Sequence, residues 1–160
     1  MTANRASPGA VLLRLWQRLA PWPGGRWLFS RILGWMVPYS GSIAPRVREL
    51  RPGYTRVELR DRRRVRNHLR SVHAIALANL GELTSGVAVL TGAPAGTRGI
   101  AVKVSTEYFK KARGLLVAET SCVVPSVVGA DMDYEVQAEI RDREGDVVAR
   151  TTACWRLGPV

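Results

Sequence analysis

NHLRSVHAIALANLGELTSGVAVL, residues 67–90, is the only long stretch of this chain that combines helical periodicity with the composition of a buried core. At about 100° per residue, the large apolar side chains fall on one narrow face of a helix. These are Val72, Ala76, Leu80, Leu83 and Val87. Small residues, Ala74, Ala78, Gly81 and Ser85, line the far side, where a backbone or ligand can approach closely. We therefore expect the central helix of the fold near residues 72–88.

The segments on either side of this helix alternate apolar and polar residues, as strands do. Residues 47–59 read as two short strands around the turn RPGY, and residues 100–106 and 115–122 as two more. Residues 133–142 and 147–157 flank the turn DREGD as a hairpin. A single helix among about six strands is best buried by a curved antiparallel sheet. The order predicts an α+β protein with the layout of the hot-dog fold.

An arm precedes this domain, and we place the boundary between residues 1–42 and residues 43–160. Its segments AVLLRLWQRLA and RWLFSRILGWM are separated by PWPGG and have the pattern of amphipathic helices. We expect Trp16, Trp27 and Trp35 to lie against apolar surface. The arm can pack over the sheet edge or a sister subunit; alternatively, it can form an interfacial helix pair that makes peripheral membrane contact.

Basic residues dominate the charge of the chain. Its 24 Lys and Arg residues against 13 Asp and Glu residues give a net charge of +11, and nearly all the cations are arginine. An excess of arginine suits binding to phosphates, nucleic acid or acidic lipid. The alternative explanation is a compositional bias of the genome without a functional cause. Aromatic residues are not interleaved with the basic runs as base-stacking platforms would be. We therefore expect no nucleic-acid partner.

Length and cysteine usage restrict the class further. A chain of 160 residues suits one well-cored domain. Arginines interrupt the N-terminal apolar region, so neither a membrane span nor a signal-peptide core is expected, and a soluble cytoplasmic protein is the default prediction. Cys122 and Cys154 lie in separate strand-like segments without metal-ligand spacing. We predict neither a disulfide framework nor a metal site.

The spacing of three polar residues in the central stretch resembles a known motif. Five residues separate Asn67 from His73, and eight separate His73 from Glu82. This is similar to the Asn, HGG and helix-acid pattern of hot-dog thioesterases of the phenylacetyl-CoA type. The segment TEYFKKARG and the closing hairpin with DREGDVVA add to the resemblance, which covers about residues 43–157. The chain looks most like an uncharacterised bacterial branch of that superfamily.

Two positions depart from the family pattern. The HGG motif reads His73, Ala74, Ile75 here, and Arg70 stands where the family has a glycine three positions before the histidine. In the family, the amide after the histidine polarises the thioester carbonyl. Ala74 keeps that amide, whereas the Ile75 side chain narrows the approach for an acyl group.

The resemblance implies an acyl-CoA thioesterase without a cofactor. It implies that Glu82 is the base or nucleophile, that the Ala74 amide holds the oxyanion, that His73 orients the backbone and that Asn67 holds the site or the attacking water. Three of these residues also have a structural interpretation: Glu82 as an exposed glutamate, His73 as a capping or core histidine, and Asn67 as a loop asparagine. A non-catalytic acyl-CoA or lipid binder is the alternative function.

Helix geometry and charge add two expectations. The nine residues from His73 to Glu82 span about 13 Å along the axis and place the two on opposite sides, so they cannot meet within one subunit. A shared site then requires a homodimer, or a dimer of dimers, with Glu82 supplied by the partner. We expect the basic clusters to bind the phosphates of coenzyme A. Their members are Arg62, Arg63, Arg64, Arg66, Arg70, Lys110, Lys111 and Arg113.

Overall fold

Both arm segments are helical in the computed structural model, which describes residues 7–126 and 129–159. Helix α1, Pro8–Leu19, begins where the Ala10 amide donates to Ser7 Oγ and Pro8 needs no partner for its nitrogen. Helix α2, Gly25–Met36, follows Gly24 at φ 77°, a left-handed conformation that glycine adopts without strain. A third helix, α3, Pro38–Gly41, was too short for the sequence pattern to reveal.

Six strands form one antiparallel sheet, as expected. They are β1 Arg46–Arg51, β2 Tyr54–Arg60, β3 Thr97–Tyr108, β4 Leu115–Ser121, β5 Met132–Arg141 and β6 Val147–Pro159. Their order across the sheet is β1-β2-β4-β5-β6-β3. The predicted β5–β6 hairpin turns at Asp142, whose Oδ1 accepts from the amides of Glu144 and Asp146. The α+β prediction is confirmed.

The central helix α4, Ala74–Gly92, packs against the sheet. The five apolar residues assigned to its core face are all buried, although Val72 precedes the helix. Gly81 and Ser85 of its small face are buried, whereas Ala74 and Ala78 are half-buried. A Cβ on Gly81 would lie 2.1 Å from Thr151 Oγ1, and one on Gly86 would lie 2.5 Å from the Trp155 ring. Only small residues allow β6 to approach this closely.

Helix α4 ends later than the sequence suggested. The expected helix ended near residue 88, but α4 continues to Gly92 and β3 begins at Thr97. The Thr91 hydroxyl donates 2.7 Å to the Val87 carbonyl oxygen, which satisfies its polar group inside the last turn. This helix is long and apolar enough to cross a membrane, since an 18-residue stretch of it has a mean hydropathy of 1.4. However, 67% of that stretch is buried inside the fold. Its apolar character is accounted for by the core.

The arm contributes to the main core. Leu12, Phe29 and Leu33 are buried in it, and Trp16 packs edge-on against Phe29 with ring centroids 5.1 Å apart. The expectation for Trp16 is therefore confirmed. Trp27 and Trp35 are exposed, so neither is covered by apolar surface of this chain, and their contact with a sister subunit or a membrane stays a prediction.

The two edges of the sheet differ. Helix α2 packs on edge strand β1, where the Val47 amide donates 2.9 Å to Ser30 Oγ. Strand β3 forms the other edge and is 12 residues long. Its residues Ile100, Val102 and Val104 are exposed, Ile100 by 59%. This edge leaves apolar surface and unpaired backbone groups in solvent.

Candidate functional site

The N-terminus of helix α4 presents the backbone amides of Ala74 and Ile75. His73 is the N-cap, with φ −64° and ψ 140°, and its Nδ1 accepts a 3.1 Å hydrogen bond from the Ile75 amide. The preceding chain is fixed because the His73 amide donates 2.7 Å to the Val65 carbonyl oxygen. The Ala74 amide makes no hydrogen bond to any residue that the structure describes. It lies at the positive end of the helix dipole, where an anion is favoured.

Asn67 organises the turn that leads into His73. Its Oδ1 accepts from the Leu69 amide at 2.9 Å and from both the amide and the hydroxyl of Ser71 at 3.2 Å. Asn67 thus has the role of a loop residue, and a role in holding water stays a prediction. Arg70, in the same turn, has φ 55°, a left-handed conformation that favours glycine. This explains physically why a glycine suits that position.

A cleft of about 310 Å³ opens beside the helix start. Its walls include Tyr39, Arg64, His73, Ile75 and Asn79. The Ile75 side chain is 56% exposed, so it narrows the cleft without filling it. Asn79 is buried and donates 3.3 Å to the Tyr39 carbonyl oxygen, which ties α3 to α4. Sequence reasoning passed over Asn79, although a polar residue in an apolar helical run was a usable signal.

Glu82 lies on the half-covered side of α4. It is seven residues after Ile75, which places both on the same helix face, and its side chain is half-buried. Burial raises the pKa of its carboxyl above the ordinary value. The carboxylate has no hydrogen bond or ion pair with the described residues. His73 and Glu82 stand on opposite sides of one helix, so a single chain does not bring them together.

Four of the eight predicted phosphate-binding cations already have partners. Arg66 pairs with Asp61 at 2.6 Å, and Lys110 lies 2.6 Å from both Asp142 and Asp146. The hydrogen bonds that Lys110 Nζ donates to these two carboxylates raise the pKa of Lys110. The other two donate to backbone carbonyl oxygens: Arg62 to Ile43 and Ala44, and Arg113 to Leu69. These contacts give the four residues structural roles.

The other four cations make no ion pair within the described part of the chain. They are Arg63, Arg64, Arg70 and Lys111. The two predicted basic clusters are adjacent, because the Val72 amide donates 2.8 Å to the Ala112 carbonyl oxygen and Arg113 reaches Leu69. The helix start is therefore bordered by cations that have no acidic partner among the described residues.

The same region offers no metal-binding chemistry. Across residues 7–126 and 129–159, no three His, Cys, Asp or Glu side chains gather as metal ligands would. Both cysteines are free thiols, and burial raises the pKa of Cys122, which disfavours the thiolate.

Solved structures share this architecture. A structural-genomics protein is 31% identical over 94% of this chain and 100% of its own, with a TM-score of 0.79. A protein of unknown function from Pseudomonas aeruginosa, a probable thioesterase, is 23% identical over 82% of this chain and 91% of its own, with a TM-score of 0.69. A hypothetical thioesterase from Streptococcus pneumoniae, in complex with coenzyme A, is 20% identical over 72% of this chain and 89% of its own, with a TM-score of 0.61.

Among proteins of curated function, none matches the chain significantly. The family DUF4442, described as a domain of unknown function, matches residues 25–157, a range that includes α2, α3, α4 and all of the sheet except the last two residues of β6. The chain thus belongs to the DUF4442 family, and its fold is that of the hot-dog thioesterases.

Proposed function

We propose that this protein is an acyl-CoA thioesterase. The observation that carries the proposal is the Ala74 amide, which has no described partner and lies at the start of a 19-residue helix beside an open cleft. Amide donors fixed where negative charge develops are a large source of stabilisation in acyl transfer. The complex of a hypothetical thioesterase of this fold with coenzyme A supports the substrate class.

The proposed step is direct hydrolysis. A water molecule attacks the thioester carbonyl carbon while the Glu82 carboxylate accepts its proton. The carbonyl oxygen becomes an oxyanion that accepts a hydrogen bond from the Ala74 amide. The bond between carbon and sulfur then breaks, and the leaving thiolate takes up a proton. The products are a carboxylic acid and free coenzyme A. A raised pKa makes Glu82 a stronger base than an exposed glutamate.

The proposed enzyme is a homodimer with shared sites. Glu82 of one subunit would face the Ala74 amide of its partner, because helix geometry separates the two functions within one chain. The open edge of β3 supports this arrangement. Its exposed apolar residues are what a strand-to-strand interface would bury, whereas α2 already covers the β1 edge.

The phosphates of coenzyme A would bind to the unpaired cations. Arg64 lines the cleft itself, and the Arg70 turn lies directly before His73. Arg63 and Lys111 extend the basic border. Arginine binds phosphate through two parallel donors, which suits these positions better than a single diffuse charge.

Release of free thiol from acyl-CoAs of increasing chain length tests the proposal. Wild type should turn over at least one of them, and Glu82→Gln should lower kcat by about a hundredfold, the scale for losing a general base. Glu135→Gln is the matched control, since Glu135 is an exposed residue on β5. Hydrolysis by Glu82→Gln at the wild-type rate would remove Glu82 from the mechanism.

A second candidate is an acyl-CoA binder without turnover. The observation that favours it is Ile75, which partly occupies the cleft. It stands where hot-dog thioesterases of the phenylacetyl-CoA type have the second glycine of the HGG motif. Calorimetric titration with acyl-CoA separates the two functions. Binding without thiol release at any chain length would establish the binder, and turnover would exclude it.

A further inference from the structure

The outer side of the arm exposes an unusual set of large apolar side chains. Between residues 22 and 39 these are Trp22, Trp27, Leu28, Trp35, Met36, Val37 and Tyr39, which we call the aromatic surface. Trp22 is 71% exposed and Trp35 is 81% exposed. So many exposed large apolar side chains within one short segment indicate an interaction site.

The orientation of α2 explains why this surface faces outward. The helix buries Phe29, Ser30 and Leu33, which it packs toward β1. Trp27 and Trp35 are eight residues apart, so they lie about two turns from each other on the outward side. Arg31 is an exposed residue between them. The fold fixes this outward face and does not cover it.

A second cleft lies against the aromatic surface. It has a volume of about 310 Å³, and its walls include Trp27, Trp35, Arg31, Arg46 and Arg62. Its lining contains three arginines and no acidic side chain. We call it the arginine cleft.

The arginine cleft lacks a counter-ion. Neither Arg31 nor Arg46 forms an ion pair in the part of the chain that the structure describes. Partial burial, followed by the charges of the neighbouring arginines, lowers the pKa of Arg46. Arg62 donates to two carbonyl oxygens, which hold its guanidinium in place. Three cations at one cleft favour an anionic group such as a phosphate.

Charge along the sequence points to the same kind of partner. No Asp or Glu precedes Glu49, whereas Arg14, Arg18 and Arg26 are further exposed cations of the arm. Tryptophan concentrates at the boundary between lipid headgroups and acyl chains, and arginine contacts anionic headgroups. An amphipathic surface with cations and no acids matches an anionic bilayer.

We propose that the arm docks on an anionic phospholipid bilayer, with a headgroup phosphate in the arginine cleft and Trp22, Trp27 and Trp35 at the acyl boundary. This surface lies at the β1 end of the sheet order, so it leaves the β3 edge free for a second subunit. The docking uses the arm together with Arg46 and Arg62, and it holds whether or not the protein hydrolyses thioesters.

Co-sedimentation of the full-length chain with vesicles tests the docking. One set of vesicles contains phosphatidylcholine only and the other adds phosphatidylglycerol. We expect binding to the anionic vesicles that weakens as salt increases. Trp35→Ala should weaken it roughly tenfold or more, since a large exposed side chain loses its burial in lipid. Arg31→Gln should weaken it about fivefold.

Two matched variants separate specific docking from the general positive charge. Arg143→Gln removes one exposed charge in the turn between β5 and β6, outside the arm and the arginine cleft. Val123→Ala shortens an exposed apolar side chain outside the arm. Both should bind like wild type. Equal loss in Arg31→Gln and Arg143→Gln would overturn the arginine cleft as a headgroup site. Absence of binding to anionic vesicles, or a change of oligomeric state in Trp35→Ala, would overturn the membrane assignment and make the aromatic surface a protein contact.

Discussion

The Tyr108 hydroxyl donates a 2.9 Å hydrogen bond to the Ala74 carbonyl oxygen. This contact joins the last residue of edge strand β3 to the first residue of α4. The carbonyl of Ala74 is thereby held, while its amide stays available in front of the helix. The strand that we propose as the dimer edge thus also positions the proposed oxyanion donor.

Tyr108→Phe should lower the free energy of unfolding by about 1 kcal/mol, because it removes one hydrogen bond at a partly exposed site. Urea denaturation of the variant checks this. Tyr39→Phe is the control, since the Tyr39 hydroxyl makes no hydrogen bond to the described residues. Equal stability of Tyr108→Phe and wild type would show that the contact does not hold the helix start.

Arg70→Gly should raise the free energy of unfolding by up to about 1 kcal/mol. Relief of the left-handed strain at φ 55° outweighs the greater entropy of glycine in the unfolded chain. Arg70→Ala removes the same charge but keeps the strain, so it should not stabilise the protein. A gain of equal size in both variants would trace the effect to charge.

Glu82→Gln should stabilise the protein at neutral and alkaline pH. Burial raises the pKa of Glu82 in the folded state, so the folded protein loses stability as pH rises through that pKa and the carboxyl ionises. The glutamine variant avoids this cost. Its advantage should shrink as pH falls toward the unfolded value of about 4.3. Melting temperatures across a pH series check the trend. A variant less stable than wild type at pH 8 would reveal a stabilising partner for the carboxylate.

Ile75→Ala should widen the acyl range. The side chain partly occupies the cleft at the helix start, and it is exposed enough that its loss leaves the core intact. We expect kcat/KM to rise for long or branched acyl-CoAs relative to short ones. An unchanged ranking of substrates, measured by thiol release, would place the acyl group elsewhere.

Periodicity was sufficient to predict the main elements. The alternation around RPGY and DREGD predicted strands that the structure contains, and the five apolar residues assigned to the core face of the helix are buried. Local pattern decides these elements because one face of each must be buried. It did not reveal α3, which has only four residues, or the last turn of α4, where the Thr91 hydroxyl bonds within the helix.

Tertiary contacts decided what the sequence missed. The pattern marks Trp27 and Trp35 as apolar but does not say which surface covers them, and in the chain nothing does. Arg66 and Lys110 read as free cations, yet Asp61 and Asp142 pair with them. That the spacing of Asn67, His73 and Glu82 marks a catalytic site stays a prediction. Asn79 was missed because its hydrogen-bond partner, the Tyr39 carbonyl oxygen, lies 40 residues away in sequence.

Subunit complementation with two inactive variants tests the shared site most directly. Ala74→Pro removes the backbone amide, and proline is tolerated at the first position of a helix. His73, at ψ 140°, already has the extended conformation required before proline. The variant should therefore fold, with Ala74→Gly as the control that keeps the amide.

The decisive measurement is thiol release by mixed dimers of Ala74→Pro and Glu82→Gln chains. If Glu82 of one subunit serves the Ala74 amide of the other, each mixed dimer has one intact site. Random mixing then restores about a quarter of the wild-type rate, since half of the dimers are mixed and each has one of two sites. Mixed samples no more active than the separate variants, or an Ala74→Pro protein as active as wild type, would contradict the proposed site.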